Sequence, residues 1–246
     1  GSVQLGELVA HNFSYEAHVA VGRRLRPDRY APVWIGQDGG ESHTWCSVIG
    51  QRVKGVVQAY AALLSDPSGA RQHVSQVLIP WLGEHMPWVL DAGGQEGVFV
   101  EYDQSMDSED PGDVNSNPLR TMRALLPGHY RVAPVTWAGR LDPMYSLLNM
   151  RALQLDPLGC AGLVKALQSG WIYGPPPPGQ KRPDKPKKPN HPHEDYGDAF
   201  CYLIAGLQPS VERDPHAKRS YAAKTGPPPM PFSRPRDPPR SYVARH

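Results

Sequence analysis

Residues 33–51, VWIGQDGGESHTWCSVIGQ, read as two strands and the turn between them. Val33–Gln37 is an apolar run bounded by Pro32 on one side and Gly39-Gly40 on the other, so the strand ends at Asp38. Thr44–Gln51 is β-branched and apolar, and Gly55–Ala62 has the same character. Short turns join the three, which predicts an antiparallel meander.

Downstream, Val74, Val77, Leu78, Trp81 and Leu82 follow the i, i+3, i+4, i+7, i+8 spacing of an amphipathic helix over 70–88. Gly97–Tyr102 (GVFVEY) reads as a buried strand ending at Asp103. A helix is expected over Asn117–Leu126, a strand over Tyr130–Val135, and helices over 142–155 and 158–169, joined at Asp156-Pro157. Gly170–Gly174 is hairpin-like, and from His191 a helix carries Ala199, Tyr202, Leu203 and Leu207 on one face. Upstream lie a short helix around Tyr15–Val21 and a basic patch of Arg23, Arg24, Arg26 and Arg29. Strands, helix, strand, helix, strand, helices is the order of an α/β domain, with a mixed central sheet flanked by helices on both faces.

The chain has 246 residues, room for one sizeable domain or two small ones. Its 28 prolines cluster, with seven in 175–190 and nine in 209–246. Three regions are therefore expected: an N-terminal extension or linker remnant over 1–31, a folded domain over 32–208, and a disordered Pro/Arg-rich tail over 209–246. Within the domain, 175–190 is a Pro/Lys-rich loop of extended chain. The tail carries eight Lys/Arg against three acids, so the overall charge of +2 conceals a body that sums to −3. Any contact with a polyanion should be local rather than chain-wide. Three separated cysteines, Cys46, Cys160 and Cys201, make neither a zinc motif nor a disulfide framework. No apolar run reaches the ~18 residues that cross a bilayer, and no secretory leader is readable. The leading Gly1-Ser2 has the form of a protease-cleavage scar, so a fragment of a longer protein is expected.

Carboxylates carry the chemistry that can be read. Asp38 and Asp103 each end an apolar strand at its C-terminal edge, where open α/β sheets gather their ligand groups. Asp195 and Asp198 stand three residues apart on the last helix, hence on one face. An all-oxygen set suits magnesium or manganese, and without a cation such carboxylates repel one another. Each also has a plainer use: a strand-terminal Asp forms turns, and Asp195 suits the positive end of a helix dipole. His191 and His193 with Asp195 would need a further ligand to hold zinc. No GxxxxGK[ST] phosphate loop occurs, so these residues do not encode such an ATPase, and no GxSxG elbow is present.

The run Val33–Gln51 resembles the first strand pair of phage large-terminase nuclease domains, an apolar strand, Asp-x-Gly, and a second strand closing in Gly-Gln. Met150-Arg151-Ala152-Leu153, Leu155-Asp156-Pro157, Gly159-Cys160, Leu163 and Gly170-Trp171-Ile172-Tyr173 follow in family order. After the Lys/Pro stretch, HPHEDYGDAFCYLIAGL at 191–207 is similar to the family's terminal helix motif. The resemblance covers about residues 30–208. It implies a ribonuclease H-like fold and three catalytic, metal-binding aspartates. Asp38 matches the first motif and Asp198 the Asp-Ala of the last. Asp103 matches the second by position, with Gln104-Ser105 where the family often has Asp-Pro before small residues.

The resemblance further implies a divalent-metal-dependent DNA endonuclease of a viral packaging terminase. Such an enzyme cuts concatemeric double-stranded DNA at packaging initiation and termination, in the host cell cytoplasm. Asp38 would bridge two ions (Mg2+ or Mn2+), with Asp103 and Asp198 each holding one and Asp195 as an additional ligand or supporting group. Lys185, Lys187, Lys188 and the N-terminal arginines would meet phosphates without reading sequence. Expected partners are double-stranded DNA, the portal protein and the small terminase subunit, with no membrane. Two alternatives remain: a portal-docking module with vestigial catalysis, or a resolvase- or transposase-like nuclease of the same fold.

Overall fold

The computed structural model describes residues 6–39, 44–65, 69–91, 98–107, 117–175, 185–187 and 190–208. The tail at 209–246, Lys188, and the acidic positions Glu109, Asp110 and Asp113 lie outside the described residues.

Among the described residues, six strands form one mixed sheet: β1 (Val33–Asp38), β2 (Trp45–Val53), β3 (Val56–Ser65), β4 (Val98–Tyr102), β5 (His129–Val132) and β6 (Leu153–Leu155), in the spatial order β5-β4-β1-β2-β3-β6. The expected meander is present, with β1, β2 and β3 pairing antiparallel. Lys54 (φ 50°) and Gly55 (φ 84°) turn β2 into β3. Two successive left-handed residues match the twist of a tight hairpin. Strands β4, β5 and β6 join in parallel, Gln37 of β1 standing opposite Tyr102 of β4.

The helices are α1 (Tyr15–His18), α2 (Ala70–His73), α3 (Ile79–His85), α4 (Trp88–Asp91), α5 (Pro118–Leu125), α6 (Trp137–Asn149), α7 (Ala161–Lys165) and α8 (His193–Leu207). The amphipathic pattern over 70–88 is realised as α2 and α3 joined by a π-helical turn, Val74–Leu78. Its apolar stripe, with α4 and α5, packs on one sheet face against Ile35 and Ile49. The other face carries α6, α7 and α8, with Val48, Met144, Leu163 and Phe200 buried together. Pleating sends alternate residues to opposite faces, so Val33 and Ile35 meet the first layer while Trp34 and Gly36 meet α8.

Two expectations are corrected. Residues 153–155 are strand rather than the end of a helix. Three residues carry too little alternation to be read as a strand. The open edge of β3 decides the matter by pairing Val57 with Leu153 and Ala59 with Leu155. Correspondingly, α6 starts earlier than read, at Trp137, because the Thr136 side chain caps it by accepting from the Gly139 N–H. Gly170–Gly174 does not close on itself. Its Ile172 bridges Leu8 and its Tyr173 bridges Pro186.

Helix α8 is apolar nearly all round and buried along most of its length, as a helix central to a core must be. It lies directly on β1 because Gly36 presents no side chain. A Cβ there would stand 2.0 Å from the Ala199 carbonyl oxygen and 2.3 Å from the Leu203 nitrogen. Ala199 and Leu203 meet Gly36 while Gly206 meets Trp34, so the helix runs antiparallel to β1. Its first two turns therefore reach the sheet edge where β1 and β4 end.

Candidate metal centre

Asp38 closes β1, and Asp103 follows Tyr102, the last residue of β4. Their parallel, adjacent pairing places the two carboxylates at the same sheet edge. The antiparallel course of α8 brings Asp195 and Asp198 to that edge. All four line one cleft of about 490 Å³. The sequence-predicted aspartates, scattered over 160 positions of chain, thus face one space.

Asp103 is held by three hydrogen bonds. Its Oδ2 accepts from the Tyr202 hydroxyl at 2.6 Å and from an Arg140 terminal nitrogen at 3.4 Å, and its Oδ1 accepts from the Ser105 N–H at 2.8 Å. Burial pushes this carboxyl toward protonation, but the Tyr202 and Ser105 hydrogen bonds and the Arg140 charge outweigh it and hold the pKa below the usual carboxylate value. The Tyr202 phenol is driven well above its ordinary pKa, first by burial and then by the charges of Asp38 and Asp198. It therefore stays a proton donor. The same negative field, added to burial, raises the thiol of Cys46 beneath the site.

Asp195 and Asp198 are 4% and 1% exposed, and Glu194 beside them is 5% exposed. His191 Nδ1 sits 2.8 Å from Asp195 Oδ2, and its Nε2 sits 3.5 Å from Glu194 Oε1. Ligand atoms of His191, Glu194 and Asp195 all fall within 4.8 Å of one another, a set able to close on a metal ion. The sequence pointed to His191 and His193 beside Asp195, short of one ligand. The structure supplies Glu194 and turns His193 away beneath Gly170, where burial and then the Lys165 charge lower its pKa.

Glu194 and Arg140 were not singled out by sequence reading, and Tyr202 was read only as part of the apolar face of α8. Glu194 adjoins Asp195 in the acidic first turn of α8, a signal that was available. For Arg140 none was, since its partners Asp103 and Tyr202 lie 37 and 62 positions away. Lys185 and Lys187 are exposed on either side of the Pro186 bridge and do not line the cleft. Among the N-terminal arginines, Arg24 pairs with Asp156 at 2.9 Å and Arg23 donates to Gln154, again outside the cleft.

Among the described residues, five carboxylates and one permanent cation, Arg140, line the cleft. Partly buried like charges at this density call for cations, and the oxygen-rich donor set fits a hard divalent ion. No family model matches this chain, and no curated protein sequence matches it. Solved structures do match in fold. A large terminase from a thermophilic bacteriophage aligns with TM-score 0.54 and 15% identity over 82% of this chain and 45% of that one. The large terminase nuclease of thermophilic phage G20c with bound magnesium aligns with TM-score 0.53 and 11% identity, covering 82% of this chain and 97% of that one. The P22 large terminase nuclease domain aligns with TM-score 0.50 and 12% identity, covering 80% and 95%. The chain thus spans under half of the first of these proteins and nearly all of the two nuclease structures. Its mixed six-stranded sheet with helices on both sides is the ribonuclease H-like fold of those domains. Among the described residues, no helix is long and apolar enough to cross a membrane.

Proposed function

We propose that this chain is the divalent-metal-dependent endonuclease part of a viral DNA-packaging terminase, cutting concatemeric double-stranded DNA when packaging starts and ends. The observation that carries the reading is the convergence of Asp38, Asp103 and Asp198 on one cleft at the C-terminal edge of a terminase-nuclease sheet. These three aspartates would hold two ions, Mg2+ or Mn2+, with Asp195 beside them. Glu194 and His191 extend the donor set beside Asp195. When bound, such ions supply Lewis-acid stabilisation of a phosphodiester and activation of water.

The chain's own residues prepare the site. Tyr202 keeps its proton and shares it with Asp103, which fixes that carboxylate as an ionised acceptor. Gly36 holds α8 close enough for Asp198 to share the cleft with Asp38. Lys185, Lys187 and Lys188 would meet DNA phosphates as positioning contacts without sequence preference. The setting would be the host cell cytoplasm, with the portal protein and small terminase subunit as partners and the basic 209–246 segment as a docking element.

The test is plasmid digestion with magnesium, manganese or excess chelator, run on this chain and on Asp38→Ala. Cleavage that needs metal and vanishes in Asp38→Ala is expected. Cleavage indifferent to chelator would overturn the proposal. Faster cutting of branched than of linear duplex would favour a resolvase-like nuclease instead.

A further inference from the structure

We infer that Arg140 is a substrate-binding residue whose guanidinium grips a non-bridging phosphate oxygen of DNA in the carboxylate cleft. The inference rests on the nuclease reading and adds to it a protein group that touches the substrate directly.

Arg140 lies in the first turn of α6 with its side chain 11% exposed. Its Nε donates to the Pro134 carbonyl at 2.6 Å, and one terminal nitrogen donates to the Tyr202 hydroxyl at 3.1 Å. The Trp137 and Tyr202 rings flank it, with centroids 5.3 and 4.9 Å from the guanidinium carbon. This is a preset geometry, so little side-chain entropy is lost when a ligand arrives. Of five N–H donors, Pro134, Tyr202 and Asp103 engage three. One N–H on each terminal nitrogen remains to donate to a phosphate oxygen.

A purely structural role as a brace for Asp103 fits the distances poorly. The bond to Asp103 is the longest Arg140 makes, at 3.4 Å, and Tyr202 already donates to the same oxygen at 2.6 Å. The Pro134 carbonyl and the two rings hold the guanidinium, and they hold it facing the cleft. The electrostatics point the same way. A DNA strand entering here meets Asp38, Asp103, Glu194, Asp195 and Asp198, and among the described residues Arg140 is the one permanent cation lining the same wall. With the carboxylates offset by bound cations, a fixed guanidinium would favour the phosphate over water.

Arg140→Gln and Arg140→Lys are compared with the unaltered chain on a linear duplex. The readouts are KM, kcat, the salt dependence of KM and the magnesium concentration for half-maximal rate. Arg140→Gln should raise KM about tenfold and lower the salt slope by about one, without raising the magnesium requirement. Arg140→Lys keeps the charge and loses the fork, so its salt slope should hold while KM rises several-fold. A raised magnesium requirement with KM and salt slope unchanged would make Arg140 a brace for Asp103 and overturn the inference. So would unchanged kinetics in both variants. Thermal melts check that each variant folds; if Arg140→Gln does not, the Arg140→Lys values decide by the same criteria. An unaltered chain that neither cuts nor binds duplex would instead defeat the nuclease reading itself.

Discussion

Substituting Gly36 by alanine tests whether the site depends on α8 lying directly on β1. An added Cβ would stand 2.0 Å from the Ala199 oxygen, 2.3 Å from the Leu203 nitrogen and 2.9 Å from the Leu203 Cα. All three are backbone atoms, which cannot rotate away. Ordinary contact begins at 3.4 Å, so α8 has to retreat by about 1.4 Å or β1 has to bend. Overpacking of this kind costs roughly 1–3 kcal/mol, a fall in melting temperature of about 2–12 °C for a domain of this size. Asp198 precedes Ala199, so the retreat carries the carboxylate away from Asp38. A misplacement near 1 Å costs on the order of 10²-fold in rate. Because the clash is with backbone, Ala199→Gly should not rescue the variant. Gly83→Ala is the control: it lies on exposed helix, its Cβ would meet only Leu90 Cδ1 at 3.7 Å, and it should stabilise by about 0.5–1 kcal/mol. Melting curves and metal-dependent cleavage are measured on both. A Gly36→Ala protein that melts at or above the parent temperature and cuts at the parent rate would refute the reasoning.

His73 is fully buried between the Ser47 and Ser65 hydroxyls, at 2.8 and 2.9 Å, and burial lowers its pKa from 6.5 to about 4. Between those values the unfolded chain binds a proton that the native one does not, so stability is complete above pH 6.5 and falls by about 3 kcal/mol toward pH 4. Denaturant titrations should show that slope, and His73→Gln should flatten it. Asp156 accepts from the N–H groups of Leu25, Leu158 and Gly159 and from Arg24. Burial opposes ionisation there, but these bonds prevail and hold the pKa below its usual value. Its contribution is present above the ordinary carboxylate pKa of about 4 and is lost as pH falls through the lower folded value. Asp156→Asn should cost about 2–3 kcal/mol at neutral pH by leaving buried donors badly paired, and an unchanged melting temperature would count against that network. Asp198→Asn should reduce cleavage by about two orders of magnitude and Asp195→Asn by less; the reverse order would make Asp195 the principal ligand on α8.

What the sequence determined by itself is what local chemistry dictates. Short apolar, β-branched runs bounded by turn residues made β1, β2 and β4 legible, and with them the strand-terminal positions of Asp38 and Asp103. The apolar face of Ala199, Tyr202, Leu203 and Leu207 made α8 legible, and Asp195 and Asp198 three residues apart on one of its faces. Tertiary structure alone decided which ends meet. Asp38 and Asp103 are neighbours because β4 adds in parallel to β1, and the meander pattern is silent on that choice. Asp198 joins them because Gly36 admits the helix backbone, a contact between residues 163 positions apart. The missing side chain that allows this approach is on the strand. β6 exists only because β3 has a free edge to complete. Arg140 and Tyr202 reach Asp103 from 37 and 99 positions away. Hydrogen bonds of that span leave no periodicity in the chain, since each partner is locally an ordinary helix residue. They arise only when packing has placed the helices over the sheet edge.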